Sequence, residues 1–252
     1  MITCEICVEG ILGAMAAEHG GGHRIELCAG LVEGGTTPSF GTIARTLEAV
    51  SIPVVVLLRP RGGDFLYSGE ELDVMVRDAQ AIRDLGAFGI ATGALTRGGS
   101  VHADGMARIM EAASPMSVTF HRAFDMVRDP HGALETLVDL GVDRILTSGQ
   151  ARSVPEGLDL IAHLVSNAGG RISIMPGAGI RVDNIRDVIR RTAVSEVHFA
   201  SLSSTASPME HRNTRPLMGS DRVPGEYERL ITDPEAVRSV VLAAQEGATG
   251  QR

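Results

Sequence analysis

The amino-acid sequence predicts a single domain over residues 1–252, an α/β fold of the (β/α)8 TIM-barrel type. Three observations predict it. Eight short β-rich runs recur along 252 residues, with starts 21 to 34 residues apart and a helical segment after each. That is a repeat of one unit, a strand plus its crossover helix. The chain also has the roughly 250 residues of such barrels. A doubly wound open sheet, the competing architecture, wants G-x-G-x-x-G after its first strand, and residues 9–17 (EGILGAMAA) lack it.

The elements follow in order. The first strand starts at Thr3 (TCEICV) and the second at Arg24 (RIELC). Thr37-Pro38 then reads as a cap and first-turn proline for a helix over Ser39–Val50. The third strand starts at Val54 (VVVLLR). Ser68 and Glu71 are spaced as a capping box that opens a helix over Glu70–Leu85. Strands starting at Phe88 (FGIAT) and Ser117 (SVTFHR) come next, then a helical stretch over Met126–Leu140 with Asp129-Pro130 inside its start. The last three strands start at Arg144 (RILTS), Ile172 (ISIMP) and Val197 (VHFAS). Gly20, Gly86, Gly141 and Gly169 each follow a helical run, where a left-handed residue commonly ends the helix. The stretch 201–226 is expected to be a long loop after the eighth strand, and Asp233-Pro234 opens a final helix.

Composition excludes several partners. Net charge is −8, with no Trp and 3% aromatics. Nucleic-acid binding wants clustered cations and stacking rings, so no nucleic-acid partner is expected. The strongest apolar run, Ile52–Leu58, is too short to span a bilayer and contains Pro53, so no membrane partner is expected either. The N-terminus has no basic region of an export signal, and three cysteines do not make a disulfide scaffold. A cytoplasmic location is the expectation.

In TIM barrels the chemistry sits at the C-terminal ends of the strands. Polar residues concentrate there: Glu5 and Cys7, Glu26 and Cys28, Arg59 and Arg61, His121, Arg122 and Asp125, Ser148 and Gly149, Gly177 and Gly179, His198 and Ser201. The opposite strand ends are mostly apolar, with Arg24 and Arg144 as exceptions.

These stretches also carry a resemblance. GGHRIELCAGLVEGGTTPS (21–39), RPRGGDFLYS (59–68), VTFHRAFD (118–125), RILTSG (144–149), IMPGAGI (174–180) and VHFAS (197–201) resemble the CutC family, named for copper homeostasis. His23 stands where that family usually has Asp, and Ala200 where Ser usually follows the aromatic residue. The resemblance implies a TIM-type barrel, a cytosolic location, a homo-oligomer (dimer or tetramer) and Cu(I) binding. It attributes the metal to cysteines at the ends of the first two strands, here Cys7 and Cys28.

Residue chemistry leaves two functions open. Cys7 and Cys28 share parity on adjacent strands, so their thiolates could hold one soft Cu(I) ion. Cys4 and Cys7, although spaced C-x-x-C, lie three apart in a strand and face opposite sides. The second function is a barrel enzyme acting on a small phosphorylated or carboxylated metabolite. Glu26, Arg59, His121 and Asp125 would do its acid–base and charge work. Arg61, Ser148, Gly149, Gly177, Gly179 and Ser201 would hold the anion, in the region where barrels commonly bind phosphate.

Overall fold

The computed structural model describes residues 1–216 and 225–249. Eight strands build the barrel: β1 (Thr3–Glu9), β2 (Arg24–Cys28), β3 (Val54–Leu57), β4 (Gly89–Thr92), β5 (Ser117–Phe120), β6 (Arg144–Thr147), β7 (Ser173–Pro176) and β8 (Glu196–Phe199). Between them run α1 (Gly10–His19), α2 (Phe40–Ala49), α3 (Gly69–Asp84), α4 (Ala103–Ala113), α5 (Pro130–Leu140), α6 (Val154–Ala168) and α7 (Ile185–Thr192). All neighbouring strands are parallel, in the order β7-β6-β5-β4-β3-β2-β1-β8. A single parallel bridge between Gly177 and His198 closes the ring at the β7/β8 seam.

Helices cover the outside, so both faces of each strand are dry. β2, β3, β4 and β6 are buried along their whole length. This is why β3 (VVVL) reads as a continuous apolar run rather than as an alternation. The outer layer is one apolar core that includes Cys4, Ile6, Val8, Ile25, Leu27, Val54 and Val56. A separate small cluster of Cys7, Cys28, Val55, Leu57 and Ala91 fills part of the barrel interior. Cys4 and Cys7 therefore lie on opposite faces of β1.

The caps are local chemistry. Ser68 and Glu71 form the reciprocal capping box of α3. Asp129 accepts from the N–H groups of His131 and Gly132, with Pro130 in the first turn of α5. The helix begins there rather than at Met126, because Arg122–Met126 is a separate 3-10 turn. Ser39, not Thr37, caps α2 by accepting from Thr42 N–H, and Thr37 Oγ1 instead accepts from Arg59 N–H. Gly86, Gly141 and Gly169 have positive φ, whereas Gly20 is right-handed and Gly21 takes the left-handed position at φ 86°.

The stretch 201–226 is not wholly a loop. Leu202–Ala206 is a strand, β9, paired antiparallel with β10 (Glu228–Thr232). Its small polar residues carry little local strand signal, and the partner lies more than twenty residues away, so pairing across that distance decides the structure. Positions 217–224 lie outside the described residues. α8 (Pro234–Thr249) follows, with Asp233 accepting from the N–H groups of Glu235 and Ala236.

Candidate metal and ligand site at the barrel mouth

The strand register assembles the floor of the site. β1 lies between β2 and β8, and Glu5 is opposite both Arg24 and His198. Cross-strand partners share a face, so all three side chains enter the barrel. One step further up, Cys7 is opposite Glu26, and Glu9 is opposite Cys28.

A buried polar chain results. Arg144 Nε lies 3.4 Å from Glu196 Oε2, which also pairs with Arg24. Arg24 pairs in turn with Glu5, and Glu5 Oε1 lies 2.8 Å from His198 Nδ1. His198 Nε2 is 3.7 Å from Glu26 Oε2. The Cys7 thiol is 3.4 Å from that same Glu26 oxygen and 3.6 Å from Cys28 Sγ. Cys28 donates to the Val8 carbonyl at 3.3 Å. Burying so many charges is tolerable only because each meets a partner.

The chain sets its own protonation. Burial pushes Glu5 up, but the hydrogen bond from His198 and the charge of Arg24 outweigh it, and its pKa falls to about 2. Burial raises Glu26. Burial alone would lower His198, yet Glu26, Cys7 and Glu5 together hold it well above the usual imidazole value. The contact with Cys28, burial and the Glu26 charge all push the Cys7 thiol up. Cys7, Glu26 and His198 each offer a ligand atom, all within 4.8 Å of one another.

These groups form the floor of a cavity of about 620 Å³. Its wall includes Arg59, Phe65, His121, Arg122, Asp125 and Gly179. Arg59 is 6% exposed and donates to the Glu33, Gly35 and Gly63 carbonyls. Its guanidinium sits 5.2 Å from the centre of the Phe65 ring, and the His121 ring lies 5.0 Å from the same ring. His121 Nδ1 accepts from Ala123 N–H. Complete burial, with the Arg59 charge nearby, lowers its pKa to about 3, so the ring is neutral at pH 7.

The remaining expected residues divide by placement. Asp125 lines the cavity, but its carboxylate is consumed by Arg122 Nε, Thr147 Oγ1 and the N–H groups of Ser148 and Gln150. It organises the loop after β6 rather than standing free as a base. Ser148 is held within that loop, between Arg122 and the Ala151 carbonyl. Gly149 packs on the α6 backbone: a Cβ there would sit 2.3 Å from Gly157 O. Gly177 is pressed against Leu146 and His198. Ser201 is buried, and its carbonyl accepts from Asp233 N–H. Arg61 points along its own loop to Glu71, Asp64 and the Leu66 carbonyl, over Tyr67. Of the anion-site candidates, Gly179 alone is in the cavity wall. Short loops satisfy their own polar groups first, which residue spacing does not reveal.

Sequence reading passed over His198 as a ligand candidate. Its signal was present, a histidine at inward parity at the end of the last barrel strand, which a closed eight-stranded ring sets beside β1. His23, the departure from the family pattern, accepts from Cys4 N–H at 3.0 Å. The ring nitrogen does there what a carboxylate oxygen can do.

Comparison with known proteins follows the same line. The family model described as "CutC family" matches residues 2–203. A CutC family protein of Mesorhizobium japonicum is 48% identical over 241 residues, covering 96% of this chain and 93% of that protein. The human protein named copper homeostasis protein cutC homolog is 46% identical over 96% of this chain and 88% of its own length. The crystal structure of the CutC protein of Streptococcus agalactiae superposes with a TM-score of 0.75 at 32% identity, covering 79% of this chain and 98% of that one. A phosphoribosylanthranilate isomerase of Thermotoga maritima reaches a TM-score of 0.57 over 98% of this chain and 100% of its own, at 12% identity, a likeness of fold alone.

Proposed function

The chain belongs to the CutC family, and on that premise we propose that it is a copper homeostasis protein that binds Cu(I) at Cys7 and Cys28. The observation that carries this reading is the 3.6 Å approach of the Cys7 sulfur, on the cavity floor, to the Cys28 sulfur behind it. Thiolates are soft ligands and select Cu(I). Two of them meet here, both buried, with the His198 imidazole and the Glu26 carboxylate completing the surround. Among the described residues no disulfide is present, and Cys4 faces the other core.

In this reading Cu(I) is cargo. Cys7 and Cys28 hold it, Glu26 takes up the Cys7 proton along the existing contact, and His198 balances the added negative charge. The Cys7 proton stays on Glu26 and the Cys28 proton passes to solvent, so binding tightens as pH rises. Three free thiols suit a reducing cytoplasm. The exposed apolar side chains of Leu12, Val32, Leu230 and Ile231 support a homo-oligomer, which light scattering would measure. No helix among the described residues is long and apolar enough to cross a membrane.

The test is a titration of reduced protein with Cu(I) against a competing chelator. One tight equivalent in the wild type and loss of it in Cys7→Ser/Cys28→Ser is the expected result. Equal binding by the double variant places the metal elsewhere.

A further inference from the structure

We infer that the cavity carries a second locus, at Arg59 and His121, that binds the carboxylate or phosphate group of a small organic molecule. It is separate from the sulfur pair and does not rest on the copper reading.

Arg59 is the first reason. The other buried arginines, Arg24 and Arg144, meet Glu5 and Glu196. Arg59 is equally buried, yet among the described residues no carboxylate lies within ion-pair distance of it, and its three bonded partners are neutral carbonyls. A guanidinium has five N–H donors. Three are used, and the Nε–H is one of the two left over. Leftover guanidinium donors are what an oxyanion takes up, often two at a time. The Tyr67 hydroxyl is also buried and lies near Arg59.

His121 is the second reason. Because Nδ1 accepts from Ala123 N–H, the neutral ring carries its proton on Nε2. That N–H is buried and has no partner. Buried donors are almost always satisfied in native proteins, and an exception calls for a missing acceptor. Arg59 and His121 flank the same Phe65 ring and line the same cavity. Asp125, the carboxylate that could have neutralised this wall, is already consumed by Arg122 and by the loop after β6. Leu31, Phe65, Met126 and Ile180 supply apolar lining, which suits the carbon body of an organic anion.

The experiment uses the full chain, reduced and freed of metal by a chelator. Sodium succinate and inorganic phosphate are titrated separately, with ionic strength held constant by sodium chloride. The readouts are the thermal midpoint and the side-chain Nε2–H resonance of His121 in ¹⁵N-labelled protein. The expected result is a saturable shift of that resonance with at least one anion. Succinate alone identifies a carboxylate site, and phosphate alone a phosphoryl site. Loss of one hydrogen bond to a charged group predicts affinity at least about tenfold weaker in His121→Phe. Arg59→Lys should weaken binding as well, since it keeps the charge but removes the fork. Cys7→Ser/Cys28→Ser should bind the anion as the wild type does, which separates this locus from the copper site. The inference is overturned if neither anion shifts the wild-type resonance saturably up to about 50 mM, well past the millimolar range of weak sites. Equal affinity in wild type and His121→Phe overturns it too. Should a variant fail to fold, the wild-type resonance still decides.

Discussion

The Sγ atoms of Cys7 and Cys28 meet at 3.6 Å although the two residues are not cross-strand partners: Cys7 is opposite Glu26, and Cys28 is opposite Glu9. The pair is diagonal, and each thiol leans toward the other across the interior. Either single change, Cys7→Ser or Cys28→Ser, is therefore expected to weaken Cu(I) binding by more than the roughly 10–100-fold typical of outer-shell partners. His198→Gln, a change beside the sulfurs, should fall near that range. Competitive chelator titration of the three variants checks the order.

Arg24 joins Glu5 and Glu196 in the lower barrel. Arg24→Met keeps much of the volume but leaves two buried carboxylates short of their cation. Breaking a buried pair from one side costs about 3–5 kcal/mol, so urea denaturation should show a loss of that size. A loss under about 1 kcal/mol would mean that the carboxylates are protonated or hydrated in the variant.

His121 gives the fold an acid sensitivity of its own. Its folded pKa of about 3 lies below the ordinary 6.5, so between those values the unfolded chain binds the extra proton and the folded chain does not. Stability from this residue is therefore present above about pH 6.5 and is lost as pH falls toward 3. At pH 5 the loss relative to pH 7 is about 2 kcal/mol, from 1.36 kcal/mol per unit. Urea midpoints at pH 7 and pH 5 should show this difference in wild type and a smaller one in His121→Phe.

Gly157 lets α6 dock on the loop after β6. A Cβ at that position would lie 2.0 Å from Ser148 O and 2.9 Å from Gly149 Cα, both backbone. Overpacking of this kind costs about 1–3 kcal/mol. Gly157→Ala is expected to lower the unfolding free energy by that amount in urea denaturation, and it should also disturb the Asp125 contacts with Ser148 and Gln150, seen as shifts of those two amide signals.

The barrel itself was legible in the chain. Strand and helix identity depends on short-range periodicity and on punctuation such as Ser68–Glu71 and Asp129-Pro130, and these are local. So was the clustering of polar residues at one mouth, because parity and strand direction follow from the order of units. Cys7 and Cys28 could be paired from parity on adjacent strands. What the tertiary structure alone decided is which polar groups were already spent. Asp125 and Arg61 have the chemistry of a site, but the loop after β6 and the start of α3 consume them, whereas Arg59 and His121 look no different in the sequence and keep donors free. Closure of the ring brought His198 to Glu5 and Glu26 across 193 and 172 residues, and β10 to β9 across a long excursion. Hydrogen-bond satisfaction and strand register depend on positions in space, and one-dimensional spacing carries no record of either.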